Sequence, residues 1–306
     1  MNNLKKIGLT ALGTVLVAGS AQAATMSVSG GTSIFFGGED NSNGGNGWSM
    51  TDQVTFTAGG EMDNGMTIST SLQLDASVWD DRSLTIDTGD MGTIVFSGHG
   101  SSGPVGAWDD LTPTANEESW GTSIGGTVDG ATNAGMGNNS FIYDYTITDG
   151  IALKAAYKPS KSGGLESSTE IGVQYTGIDG LTVSAAMGEN NDLADQIDLS
   201  VFSANYASGP FTIGIQQNES DRGTGTDEDF NAYGVSYAIN DDVSVSYNVS
   251  TLDYSTNAED QESSAVSVSF TAGGVAISAS HQSTDNVAGD AAVDNTSYEV
   301  NFSFSF

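Results

Sequence analysis

Apolar and polar residues alternate one by one along most of this chain. In residues 297–306, Tyr298, Val300, Phe302, Phe304 and Phe306 share one phase, and Glu299, Asn301, Ser303 and Ser305 share the other. Successive side chains of a strand point to opposite faces of its sheet, so this segment has one greasy face and one wet face. The same period of two recurs back to Met26. It predicts early strands around Met26–Phe36, Met50–Ala58, Met66–Val78, Leu84–Ile86 and Ile94–Phe96. Later runs are headed by Phe141, Ile151, Ile171, Leu181, Ile197, Phe211, Tyr233, Val243, Val266 and Val275. With the terminal segment these make sixteen.

The connections sort into two kinds. Seven are tight turns, such as Asp63-Asn64-Gly65, Asp149-Gly150, Asp179-Gly180 and Gly273-Gly274. The eight between them read as longer and acidic, Asp80-Asp81 among them as the end of the third strand. Short turns at one end and long loops at the other are the asymmetry of a transmembrane β-barrel. Backbone groups in hydrocarbon must pair internally, so such a sheet closes and leaves no edge. The expected fold is therefore all-β, a 16-stranded antiparallel barrel around a water-filled lumen. One segment breaks phase: Ile197, Leu199 and Val201 are followed by Phe202, Ala204 and Tyr206, which predicts a bulge near Val201.

Composition refines the picture. Residues 1–23 read as a signal peptide, with Lys5 and Lys6, an apolar run from Ile7, and Ala21-Gln22-Ala23 as the cleavage site, leaving 24–306 as one barrel domain. Formal charge is −32, and removing Lys5 and Lys6 leaves −34. Such a chain repels nucleic acid. Twelve Phe, ten Tyr and four Trp argue against disorder, and with no Cys there is no disulfide framework.

Several stretches resemble the general diffusion porins of alphaproteobacteria. They are the leader Met1-Asn2-Asn3-Leu4-Lys5-Lys6, Val54-Thr55-Phe56-Thr57-Ala58 with Asn64-Gly65-Met66-Thr67-Ile68, Gly92-Thr93-Ile94-Val95-Phe96-Ser97-Gly98, and the final Phe306. The resemblance implies an outer-membrane homotrimer whose third loop folds into each lumen to set the pore size. It also implies that Phe306 is the signal read by the barrel-assembly machinery, and that lipopolysaccharide of the outer leaflet is a partner.

Residues 98–139 form the longest connection, and loops of that length in compact folds usually carry function. Trp108, Asp109, Asp110, Glu117, Glu118 and Asp129 are the candidate constriction residues, with Trp108, Trp120 and Leu111 as anchors. On the lumen wall the candidates are Asp75, Arg82, Asp87, Asp144, Lys154, Lys158, Glu170, Asp198 and Glu299. Asp52 falls on the apolar phase of Met50 and Val54 and is an exception to the pattern. Where the family places a row of arginines facing the loop acids, this chain offers only Arg82, Lys154 and Lys158. The balance predicts a negative pore that prefers cations.

Conduction requires no cofactor, and the one metal expectation is calcium at Asp221, Asp227, Glu228 and Asp229. No catalytic spacing joins His99 or His281 to a nucleophile, so an enzyme is not expected. The alternative function is an acidic secreted surface or adhesin-type β protein without channel activity.

Overall fold

The structure is a computed structural model that describes residues 25–40, 47–119, 136, 138–160, 166–191 and 196–306. The signal-peptide segment, Trp120, Asp129 and Lys161 lie outside the described residues. Sixteen strands form one closed barrel in which each strand pairs with its sequence neighbours and the first pairs with the last. They are β1 (Thr25–Glu39), β2 (Gly47–Glu61), β3 (Thr67–Asp75), β4 (Val78–Asp87), β5 (Thr93–His99) and β6 (Ser140–Thr148). Next come β7 (Ile151–Lys158), β8 (Ser168–Ile178), β9 (Leu181–Asn190), β10 (Ile197–Ser208) and β11 (Phe211–Arg222). The ring is completed by β12 (Glu228–Ala238), β13 (Val243–Tyr254), β14 (Gln261–Ala272), β15 (Val275–Asp285) and β16 (Asn295–Ser305). Among the described residues the one α-helix, α1 (Pro104–Trp108), belongs to the connection between β5 and β6. No described helix is long and apolar enough to cross a membrane.

The alternation sets the two faces. Ile171 and Val173 on β8, Ile213 and Ile215 on β11, and Val266 and Val268 on β14 are exposed on the outer surface, while their neighbours face the lumen. Large exposed apolar side chains around a whole barrel are stable only against lipid. Aromatic pairs lie on the same outer phase, with Phe36 against Trp48 at 4.6 Å and Phe211 against Tyr237 at 4.6 Å. The amphipathic Trp48 and Tyr237 rings suit the headgroup levels.

The seam is closed at the last residue. Phe306 donates its N–H to Gly30 O at 2.9 Å, and Gly30 donates to Phe306 O at 3.0 Å. A Cβ on Gly30 would meet the Phe306 ring and the Gln53 carbonyl, so only glycine leaves the ring room to lie over β1. Gly30→Val is expected to weaken closure by about 1–3 kcal/mol through overpacking. The measurement is the midpoint of thermal unfolding in detergent, which should fall, whereas Gly60→Val, with open space around it, leaves it in place.

Two strand readings need correction. Strand β3 ends at Asp75 and the turn is Ala76-Ser77, so Asp80 and Asp81 lie inside β4 and this loop-side connection is a tight hairpin. Strand β10 has continuous register from Ile197 to Tyr206 against β9, with no bulge near Val201. Its apolar phase changes because Ile197, Leu199 and Val201 point into the barrel and are buried under α1, whereas Phe202 and Tyr206 point out.

Candidate functional site: a loop strapped around the inner wall

The site is built by the segment after β5. Gly103 precedes α1 in extended backbone and Pro104 opens the helix, where a missing N–H costs nothing. A single turn is too short to persist by itself. It is held by Val105 and Trp108, which pack on Ala186, Ile197, Leu199 and Val201, with Leu111 alongside. The Glu170 carboxylate on β8 accepts the Val105 N–H at 3.0 Å, satisfying a first-turn donor that the helix cannot pair.

Beyond the helix the backbone runs along the wall and is bonded to it strand by strand. On β11, Gln216 donates Nε2–H to Trp108 O (2.9 Å) and accepts the Leu111 N–H (3.1 Å). Asn218 donates to Asp109 O at 2.8 Å, and Asn205 on β10 donates to Leu111 O at 2.7 Å. Ser246 on β13 accepts the Ala115 N–H at 2.8 Å. Asn116 donates to Ser280 Oγ at 2.7 Å and to Glu299 Oε1 at 3.0 Å, on β15 and β16. Ser267 on β14 donates to Glu117 O (2.9 Å), Gln282 on β15 to Glu118 O (2.6 Å), and Ser119 to Ser250 on β13 (2.8 Å). The strap thus crosses from β8 to β16, half the circumference. These amides and hydroxyls all lie on the lumen phase.

Lumen-phase glycines shape its path. A Cβ on Gly172 would strike the Trp108 ring, and Cβ atoms on Gly214 and Gly234 would strike Pro113 and Thr112. The glycines, together with Gln216 and Asn218, are the working residues that strand alternation alone did not single out. Their signal was glycine and amide residues on an inward phase that a water-lined wall has no need to favour.

Among the expected wall charges, Asp75, Asp87, Asp144, Lys154, Lys158, Glu170 and Glu299 lie on the inward phase. Lys154 donates to Asp144 at 3.1 Å, and both line a cavity of about 620 Å³ with Asp87, Trp108 and Gln174. Arg82 and Asp198 are not wall residues. Arg82 shares the outer phase of Leu84 and Ile86, opposite Leu72. Asp198 sits outside between Glu189 and Asp221, because Ile197 and Leu199 take the inner phase. A basic side chain on the outer face costs about 2–4 kcal/mol at mid-membrane but only about 0–1 near the interface, and an acidic one costs less. Asp198, one residue inside its strand end, is at the cheap position. Asp52 does lie on the outer phase, opposite Thr32.

The loop acids are crowded. Burial, with Glu299 and Asp110 nearby, pushes Glu117 up to about 7. Burial and the Asp110 carboxylate push Glu118 up to about 8. Asp110 is raised by burial too, partly offset by its hydrogen bond with Glu118. At neutral pH this group holds protons that ordinary carboxylates release. The four calcium candidates do not converge. Asp227 accepts the Arg222 N–H at 2.9 Å and Glu228 lies 3.7 Å from the Arg222 guanidinium, while Asp221 and Asp229 face outward on β11 and β12.

In fold the chain is similar to OmpT with loop L8 deleted, an outer membrane protein of Vibrio cholerae, at 15% identity and a TM-score of 0.72, covering 93% of this chain and 100% of that one. It is similar to an anion-selective porin from Comamonas acidovorans at 15% identity and a TM-score of 0.68, again 93% against 100%. A substituted porin of Rh. blastica gives 17% identity and a TM-score of 0.69, with 92% and 100% covered. No curated protein matches it in sequence. Over residues 8–306 the sequence matches the Gram-negative porin family, and with its closed 16-strand barrel the chain belongs to that family of outer-membrane channels.

Proposed function

We propose that the protein is a passive, cation-preferring diffusion channel for small hydrophilic solutes, a transporter rather than an enzyme. The observation that carries this reading is the strap of residues 104–119 bonded around the inner wall, bearing Asp109, Asp110, Glu117 and Glu118. Facing the same lumen are Asp75, Asp87 and Asp144 against Lys154, while Glu170, Glu299 and Lys158 share the inward phase but are buried. Acids lining a water-filled passage raise the local concentration of cations and exclude anions. The strap sets the size limit, and no cofactor takes part.

The finer likeness, to the general diffusion porins of alphaproteobacteria, supports a homotrimer, signal-peptide cleavage near Ala23, and recognition of Phe306 by the barrel-assembly machinery. Outside, Glu189, Asp198 and Asp221 stand directly opposite one another, as do Glu219, Asp229 and Asp253. Like charges so placed repel, so divalent cations between these rows and the phosphates of lipopolysaccharide are the expected counterpart. Planar-bilayer recordings across a potassium chloride gradient test the proposal. The reversal potential is expected to have the sign of potassium preference, and a chloride preference or an absence of steps rejects it.

A further inference from the structure

The two register irregularities of the early strands fall at the same place. Opposite β3, strand β4 carries one extra residue, since Leu72 pairs with Arg82 and Leu74 with Trp79 while Asp80 and Asp81 face Gln73 alone. Opposite β4, strand β5 also carries one extra residue, because Arg82 pairs with His99 and Ser83 with Ser97, leaving Gly98 over. A bulge re-aims the side chains beside it. Here two adjacent bulges turn Asp80, Asp81 and His99 toward one point. One ligand atom from each lies within 4.8 Å of the others, and among the described residues this is the group with such geometry.

The imidazole orientation is informative. His99 Nδ1 lies 3.2 Å from Asp80 Oδ1, is shielded from solvent, and still has no aligned hydrogen-bond partner. That nitrogen faces the Asp80 carboxylate, as one half of an ion pair when the imidazole is protonated and as a lone-pair donor when its proton is on Nε2. Asp81 is fixed from the other side. Gly100, with φ +83°, passes so close that any Cβ there would coincide with the Asp81 carboxylate. Gly100, just ahead of the strap, thus leaves room for one of the acids.

We propose that Asp80, Asp81 and His99 form a binding site for a divalent first-row transition ion, at the loop end of the barrel beside the root of the strap. Two carboxylate oxygens and one imidazole nitrogen make a mixed hard and borderline donor set. It suits Cu²⁺, Zn²⁺ or Ni²⁺ above Ca²⁺ and Mg²⁺, which take oxygen ligands. Two negative charges balance the ion, and water completes its shell at this half-exposed place. The site is distinct from the calcium expected at Asp221, Asp227, Glu228 and Asp229, and it does not depend on whether the barrel conducts.

The test uses the full-length protein in detergent, stripped with a chelator and titrated with Cu²⁺ at neutral pH. One tight ion per chain is expected, with the ¹⁴N coupling of a single imidazole in its electron paramagnetic resonance spectrum. His99→Gln should remove the coupling and weaken binding by at least about tenfold, since even the hydrogen-bond partners behind a metal ligand are worth about 10–100-fold. The double variant Asp80→Asn with Asp81→Asn should weaken binding while keeping the coupling, and His281→Gln should change neither. A measurement on the unaltered chain guards against misfolded variants: Zn²⁺ should protect His99 from diethylpyrocarbonate and leave His281 reactive. Nitrogen coupling that survives in His99→Gln, carboxamide variants that bind as tightly as the parent, or equal labelling of both histidines would overturn the site.

Discussion

Replacing Glu117 and Glu118 together by glutamine is expected to flatten the pH dependence of ion selectivity. In the parent both carboxyls are held up by burial and by neighbouring acids, at about 7 and about 8. The sign follows directly. Below these values the groups are neutral and the strap contributes little field. As pH rises through them each becomes an anion, so potassium preference grows with pH across a range where ordinary carboxylates, ionised from about pH 5, have nothing left to release. The groups around the pair are Asp110 on the strap and Glu299 on the wall, with the neutral Asn116, Ser267 and Gln282 making the bonds. None is a base that would reverse the trend. Glutamine keeps the size and leaves the backbone bonds of residues 117 and 118 intact, so the strap stays seated and only the charge is lost. Reversal potentials measured at about 0.1 M salt should climb severalfold in permeability ratio across this range for the parent and stay nearly level for the variant. At about 1 M salt, where the Debye length shrinks to about 3 Å, the difference should narrow. A parent whose selectivity is constant between pH 6 and 9 contradicts the crowding of these acids.

How much of this was legible beforehand depends on what makes a position apolar. Alternation in 297–306 or 266–270 has one cause, a strand between lipid and water, and the faces follow from it without error. Ile197, Leu199 and Val201 are apolar for a different reason: they lie under Val105 and Trp108. Reading them as lipid-facing reverses the strand and sends Asp198 inward. Nothing local in β10 separates the two causes, because the partner is some ninety residues away in sequence. Arg82 fails differently. It keeps the phase of Leu84 and Ile86, and its placement in the lumen rested on charge rather than on spacing. Asp80 and Asp81 look like a loop because two acids interrupt an apolar run, yet they are a bulge within β4. The strap itself was marked by its length and its tryptophan, but its track was not. That track is written in the opposite wall, in Gly172, Gly214 and Gly234 and in Gln216 and Asn218, whose purpose appears only once the loop is laid on them.

Gly172→Leu is expected to unseat the strap and widen the passage. Trp108 lies directly over this glycine, and the new side chain would also meet Ala186 and Pro104. The wall is fixed by ladders to β7 and β9 on either side, so it cannot retreat. The helix must move instead, and overpacking of this kind costs about 1–3 kcal/mol. With Trp108 lifted, the apolar contact on Leu199 and Val201 is lost, and the bond from Glu170 to the Val105 N–H goes with it. The hydrogen bonds farther along, each worth about 1 kcal/mol net, no longer start from an anchored end. The barrel ladders are untouched by this change. The protein should therefore still insert and resist detergent, while single-channel conductance rises above the parent and larger neutral sugars pass in liposome-swelling assays. Gly60→Leu, outside the barrel with open space around it, serves as the comparison and should conduct like the parent. Equal conductance for all three proteins would mean that the strap, although bonded to the wall from β8 to β16, does not set the width of the path.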